Sequence, residues 1–289
     1  MKIKIFQKGF NYSQDGPGNR LVYHLQGCNM RCRWCSNPEG LSINGTLIAN
    51  EEWLLDSICP HGAIQNKKLD RSKCEGCKTR ECINVNKNKG IRLSCEQYEI
   101  DEIIDEAVRC KPMFFDGGGV TLTGGEATLQ FDEIAVLLGK LKSNDINTAI
   151  ETNATHPNLD ELFPLIDTLI MDFKHYDNEI HKRVTGISNF IVKENFSKAF
   201  LYHKSVLVRI PVVKGVNDSE KDIRGFVEFF KEHNTANASF EFLPYHEYGK
   251  AKWFQCGMEY TMTGSYVEHS ILSLYKKIFE ENNLSVIYT

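Results

Sequence analysis

The stretch Gly27-Cys28-Asn29-Met30-Arg31-Cys32-Arg33-Trp34-Cys35 places three thiols within eight residues, directly behind the run Leu21 to Gln26. That run has the alternation and β-branched content of a short strand, and Gly27 frees the chain to turn out of it into a loop that can wrap a metal group. Iron–sulfur clusters are held by cysteine thiolates, usually four. Three thiolates in one loop with no obvious fourth leave one iron open to an exogenous ligand, as catalytic metal sites keep one position free. A protein that only carries electrons gains nothing from an open iron. Spacing alone also admits a zinc site completed by His24 or a distant residue, and chance clustering.

Outward from this loop, short strands are predicted at Val120 to Gly124, Asn147 to Thr152, Thr168 to Phe173, Val206 to Val213 and Ser239 to Tyr245. Helical patterns lie between most of them. Ile100, Ile103, Ile104, Ala107 and Val108 share one face, as do Ile223, Phe226, Val227 and Phe230, whose helix opens with Ser219 as cap and Asp222 at its third position. Val267, Ile271, Leu274 and Ile278 repeat the pattern before a last strand at Leu284 to Tyr288. Strands alternating with helices give about six βα units and a mostly parallel sheet, open or closed into a barrel.

From about Ser42 to Glu96 the rhythm breaks. The segment is rich in Cys, Lys and Asn, its one helical signal is the short run Glu51 to Ile58, and it is too poor in apolar residues to fold without help. Bound metal would supply that help. The chain of 289 residues is long enough to bury a core without staples. Its net charge of -4 gives no general pull toward nucleic acid or anionic lipid. The opening MKIKIFQKGFNYSQ lacks an apolar signal-peptide core, and no stretch approaches the ~18 apolar residues of a membrane span. A cytoplasmic protein is expected, and in a reducing compartment clustered cysteines read as metal or redox ligands; seven of the ten fall in two groups, while Cys95, Cys110 and Cys256 are scattered.

The C-x3-C-x2-C spacing, with the aromatic Trp34 just before the last cysteine, resembles the signature of the radical S-adenosylmethionine superfamily. Thr123-Gly124-Gly125-Glu126 resembles the GGE motif of that family. Asp15-Gly16-Pro17-Gly18-Asn19-Arg20, Asp172-Phe173-Lys174 and Leu243-Pro244-Tyr245-His246 resemble one branch of it, the glycyl radical enzyme activating enzymes. The resemblance covers essentially the whole chain. It implies an α/β fold, a partial (β/α)6 barrel of parallel strands formed by residues 1–45 and 97–289, with residues 46–96 as a small ferredoxin-like insert.

What the resemblance implies for the site is specific. Cys28, Cys32 and Cys35 would hold a [4Fe–4S] cluster whose open iron is chelated by S-adenosylmethionine, with Trp34 near the adenine. Gly124, Gly125 and Glu126 would bind the methionine amino group. Glu151, Thr152 and Asn153 would lie near the ribose and, with Asp172, near a monovalent-cation site. Lys174, Arg209 and His246 would contact the cofactor's polar groups, and Asp15 the substrate peptide. Taken singly, Asp172 and Lys174 could be a salt bridge at a sheet edge, Asp15 an ordinary turn residue and His246 a loop histidine. Their shared position at strand ends, where parallel α/β folds build sites, favours a common role. The chain departs from the branch at Ala127, where Pro is common, and at Glu151, where Asp is common; the second puts the cation site in doubt.

The longer members of the branch carry two ferredoxin-type cysteine runs, in which the fourth Cys of one run ligates the other run's cluster. Here Cys59-Pro60 resembles the tail of a first run, and Cys74, Cys77 and Cys82 the leading three of a second. Together they make the ligand set of one auxiliary [4Fe–4S] cluster. The long gap from Cys77 to Cys82 leaves room for Cys95 as a substitute, and four thiolates suit zinc equally well.

The function so implied is reductive cleavage of S-adenosylmethionine to a 5′-deoxyadenosyl radical. That radical would abstract a glycine Cα hydrogen in a partner glycyl radical enzyme, with flavodoxin or ferredoxin as reductant. A radical enzyme acting on a small molecule, and a non-catalytic electron carrier, are the other functions considered.

Overall fold

The computed structural model describes residues 1–11, 14–74, 76–85 and 90–288. The chain opens with an antiparallel hairpin, β1 (Lys2–Asn11) and β2 (Arg20–Leu25). The insert follows. Its β3 (Leu47–Ala49) pairs antiparallel with β6 (Ile91–Leu93) at the base, enclosing the small hairpin of β4 (Ile64–Gln65) and β5 (Lys68–Leu69) and a short helix, α1 (Glu81–Val85).

The chain returns to the main sheet as β7 (Glu96–Glu99) and then alternates: α2 (Ile100–Cys110), β8 (Gly119–Gly124), α3 (Phe131–Ser143), β9 (Asn147–Thr152), β10 (Thr168–Asp172), α4 (Asn178–Thr185), α5 (Phe190–Tyr202), β11 (Val206–Val212), α6 (Glu220–Lys231), β12 (Ala238–Pro244), α7 (Lys250–Gln255) and α8 (His269–Glu281). The eight-stranded sheet runs β12-β11-β10-β9-β8-β2-β1-β7. Its six strands from β2 to β12 are mutually parallel, and all six fall where the sequence pattern places them, within a residue or so at each end.

The alternation along β2 shows how the sheet is used. Leu21, Tyr23 and Leu25 join the main core beneath the helices, while Arg20, Val22 and His24 take the opposite face. The helical side closes over a packed set of rings, with Phe173 within 5.0–5.7 Å of Phe196, Phe226, Phe229 and Phe230. The capping box expected on α6 is present, Ser219 accepting from the Asp222 amide while the Asp222 carboxylate accepts from Ser219.

Three local expectations give way. The run Glu51 to Ile58 forms two 3-10 turns, Glu51–Trp53 and Asp56–Ile58, because it offers too few turns to bury an apolar stripe. The last strand shrinks to one bridge between Val286 and Phe240. The sheet also gains β1 and β7 beyond the six predicted strands, joined antiparallel to each other.

The insert has a core of its own, made by Ala49, Leu54, Ile64, Cys82 and Ile91. With strands of two or three residues, it lacks the secondary structure to stand unaided. No helix among the described residues is long and apolar enough to cross a membrane.

Candidate functional site

The parallel strands end on a cleft of about 560 Å³, within the size range of small-molecule sites. Cys28, Cys32 and Cys35 line one wall. Their loop is pinned from outside: the amides of Arg31 and Arg33 donate to the carbonyls of Thr185 and Val184 at the end of α4, at 2.6 and 3.1 Å. Trp34 is buried in a satellite core with Val184, Val213 and Tyr245, and it too borders the cleft.

All three thiols are free. Burial pushes Cys28 and Cys32 up to about 12 and Cys35 up to about 11, so metal must displace protons to bind there. Three half-buried thiols facing a common cleft suit a cluster with one open iron. Among the described residues no three His, Cys, Asp or Glu side chains already stand close enough together to hold a single metal ion.

Across the cleft the strand ends present a charged band. Lys174 pairs with Asp172 at 2.8 Å. Arg209 donates to Glu151 and to Glu241, at 2.8 Å each, and to the backbone oxygen of Gln14. Thr123 adds a 2.6 Å bond to Glu151. Burial opposes the charges of Glu151 and Lys174, and pairing outweighs it: the Arg209 charge holds Glu151 below its ordinary range, and Asp172 keeps Lys174 protonated. Asp172 itself is pushed up, by burial first. The Asp172–Lys174 salt bridge thus exists, but at the end of an interior strand and on the cleft wall, not at a sheet edge.

Asp15, Gly124, Gly125, Thr152, Asn153 and His246 also border the cleft. The loop carrying Asp15 is tied down by Arg20, whose fully buried guanidinium donates to Thr121 and to the carbonyls of Pro17, Gly117 and Val120. Gly18 has φ +72°, and a side chain there would collide with the carbonyl of Phe115. Gly124 (φ +121°) and Gly125 let the end of β8 pass close to the backbone at Leu25 and Gly27, the Gly125 amide donating to Leu25 at 3.0 Å. Asn153 contacts Asn29 of the cysteine loop at 3.0 Å. His246 stacks on Tyr248 at 4.2 Å.

Glu126 is placed differently from the rest. Its carboxylate turns inward, accepting from the Thr128 amide and hydroxyl, the Thr152 hydroxyl and the Asn153 amide at 2.5–3.0 Å. It ties the ends of β8 and β9 together and does not border the cleft. Gln7 is a cleft residue with no sequence signal, because it comes from β1, which the pattern reading passed over, while His24, considered beside the cysteine loop, borders the cleft with a buried Nδ1 that has no hydrogen-bond partner among the described residues.

In the insert, Cys59, Cys74, Cys77 and Cys82 lie within electrostatic reach of one another, the first three each raising the pKa of Cys82 after burial. Cys95 stands elsewhere, against Gly45 and near Lys4.

The radical SAM superfamily model matches residues 22–227, most of the barrel and the whole cysteine loop. The chain belongs to the radical S-adenosylmethionine superfamily. Within it, similarity extends over nearly the full length to activating enzymes. The 4-hydroxyphenylacetate decarboxylase activating enzyme of Clostridioides difficile is 32% identical over 94% of this chain and 91% of its own. The isethionate sulfite-lyase activating enzyme of Desulfovibrio desulfuricans is 34% identical over 86% and 84%, and the choline trimethylamine-lyase activating enzyme of Oleidesulfovibrio alaskensis 32% over 87% and 86%. This radical SAM protein is therefore a glycyl radical enzyme activating enzyme, and its family implies a [4Fe–4S] cluster and S-adenosylmethionine as cofactors. Its fold is shared with Streptococcus suis SuiB in complex with the precursor peptide SuiA, at TM-score 0.58 and 14% identity over 92% of this chain and 47% of that one.

Proposed function

We propose that the cleft is the radical-generating site, with Cys28, Cys32 and Cys35 as cluster ligands and the strand-end residues as the cofactor seat. The observation that carries this is convergence: three half-buried thiols and the charged ends of β9, β10 and β11 border one cavity. When bound, the cluster and S-adenosylmethionine supply reductive cleavage to a 5′-deoxyadenosyl radical, which takes a hydrogen from a glycine Cα of the partner. The chain's own residues orient and shield. On the cleft wall Glu151 and Asp172 stand against Lys174 and Arg209, with Glu241 behind Arg209, so the band offers both signs of charge to a cofactor that carries a sulfonium, an ammonium and a carboxylate. Lys174, paired with Asp172 on the cleft wall, would share its ammonium with a cofactor carboxylate, and Trp34 and His246 offer flat faces to a purine. Asp15 stands where a substrate loop entering the cleft would meet it. Asp172 with Glu151, Thr152 and Asn153 is the candidate seat for a monovalent cation.

The four insert thiols hold one auxiliary [4Fe–4S] cluster, and an acidic flavodoxin or ferredoxin is the reductant. The partner belongs to the class whose activators are similar to this chain, decarboxylases and lyases of small polar molecules among them. The deciding experiment incubates the anaerobically reconstituted protein, S-adenosylmethionine and a reductant with candidate glycyl radical enzymes. A protein-based glycyl signal by electron paramagnetic resonance, with 5′-deoxyadenosine formed in step, is expected. Turnover of a small molecule with no glycyl signal on any partner would point to the small-molecule function instead.

A further inference from the structure

The six-residue helix α7 touches both cysteine-bearing regions. On one side the Trp253 indole N–H donates to the carbonyl oxygen of Cys35 at 2.8 Å. Beside it Lys252 reaches Asn37 at 2.8 Å and the buried Glu39 at 2.7 Å. Gly249, ahead of the helix, packs so tightly on Cys35 that an added Cβ would stand 2.7 Å from the same carbonyl oxygen. On the other side, the Gln255 carbonyl accepts from Arg71 at 2.6 Å, and Arg71 donates equally to the carbonyl of Leu47 at the base of the insert. Gly257 (φ +73°) leaves the room that the Arg71 side chain occupies. Arg71 lies in the same 3-10 turn as Cys74.

A helix this short does not hold itself together in water, so its position is set by what grips its ends. Arg71 grips one end from the insert, and the Cys35 loop grips the other. Groups that hydrogen-bond around metal ligands orient them, and their loss weakens the metal's hold about 10- to 100-fold. We propose that Arg71 is a positioning residue which, through α7 and Trp253, fixes Cys35, so that the insert braces the three-cysteine site. This rests on the reading that Cys28, Cys32 and Cys35 hold the cluster.

The test uses the full-length, anaerobically reconstituted protein and reads the cluster itself. Two signals are followed: the change that S-adenosylmethionine causes in the paramagnetic resonance spectrum of the reduced site, and the rate at which chelator strips it. Trp253→Phe removes the donor to Cys35 without touching the insert. Arg71→Gln removes the grip on Gln255, and Arg71→Lys retains a cation able to keep one of its two bonds. Trp253→Phe and Arg71→Gln are each expected to alter the spectrum in the same sense and to speed stripping on the order of ten-fold, with Arg71→Lys in between. The double variant should go no further than Trp253→Phe alone, because both act along one path. Wild-type spectra and rates in both single variants, or effects that simply add, would overturn the brace. A wild-type protein with no cofactor-responsive signal would instead overturn the underlying cluster assignment, and the brace with it.

Discussion

Arg209 is nearly inaccessible to solvent (3% exposed) and serves two carboxylates at once, so its removal takes the paired cation from both Glu151 and Glu241. Breaking a buried pair from one side costs about 3–5 kcal/mol. Arg209→Met is therefore expected to lower the melting temperature sharply, and Arg209→Met combined with Glu151→Met to recover part of the loss. Calorimetry of the three proteins checks both. His181 shows the opposite logic. It is fully buried in α4, its Nδ1 lies 2.8 Å from the Ile187 carbonyl, and its Nε2 has no partner. Burial lowers its pKa from 6.5 to about 4. Between those values the unfolded chain binds the proton and the folded one resists it, so stability falls as pH drops below 6.5, by about 2 kcal/mol at pH 5. Because α4 carries the carbonyls that hold the cysteine loop, that loop should loosen with it. Melting curves from pH 8 to 5 should steepen this loss in the native protein and flatten it in His181→Gln.

Among the elements, the parallel strands were legible from their alternation and β-branched content; β9, Asn-Thr-Ala-Ile-Glu-Thr, matches its predicted bounds residue for residue. β7, Glu-Gln-Tyr-Glu, has no apolar face to betray it and exists only because β1 offers it an edge. The link from β9 to β10 carries Pro164 and stays a 3-10 segment. The site divides along the same line. Strand-end residues such as Asp172 and Lys174 were readable as motifs, whereas the inward turn of Glu126 follows from Thr128, Thr152 and the Asn153 amide, partners that no spacing rule names. Trp253 escaped notice because its role is one bond to a backbone carbonyl. The insert is where element-level physics makes a demand: five buried residues and strands of two or three residues set little burial against the entropy of ordering it, and the proposed metal would supply the balance. Chelation is expected to expose residues 46–96 to protease well before the main sheet is cut. Equal resistance with and without metal, read from the fragment masses, would mean that the four thiols contribute no structural site.

At the scale of the whole molecule, one cleft gathers side chains from β1 across to β12, so whatever fills it connects nearly every strand of the sheet. A ligand that binds the folded chain alone stabilises it by RT ln(1 + [L]/Kd), about 2.7 kcal/mol at a hundredfold excess over Kd. Two parts of the cofactor's hold can be separated by this measure. The charged band and the ring faces of Trp34 and His246 are present in the protein without iron, whereas chelation at an open iron requires the loaded cysteine loop. S-adenosylmethionine is therefore expected to raise the melting temperature of the reconstituted protein by several degrees and that of the iron-free protein much less. Replacing Lys174 with Met should reduce the rise in both forms, since that contact belongs to the band. An equal rise with and without iron, measured anaerobically at one cofactor concentration, would place the cofactor's grip entirely on the strand ends and leave the open iron without a share in binding it.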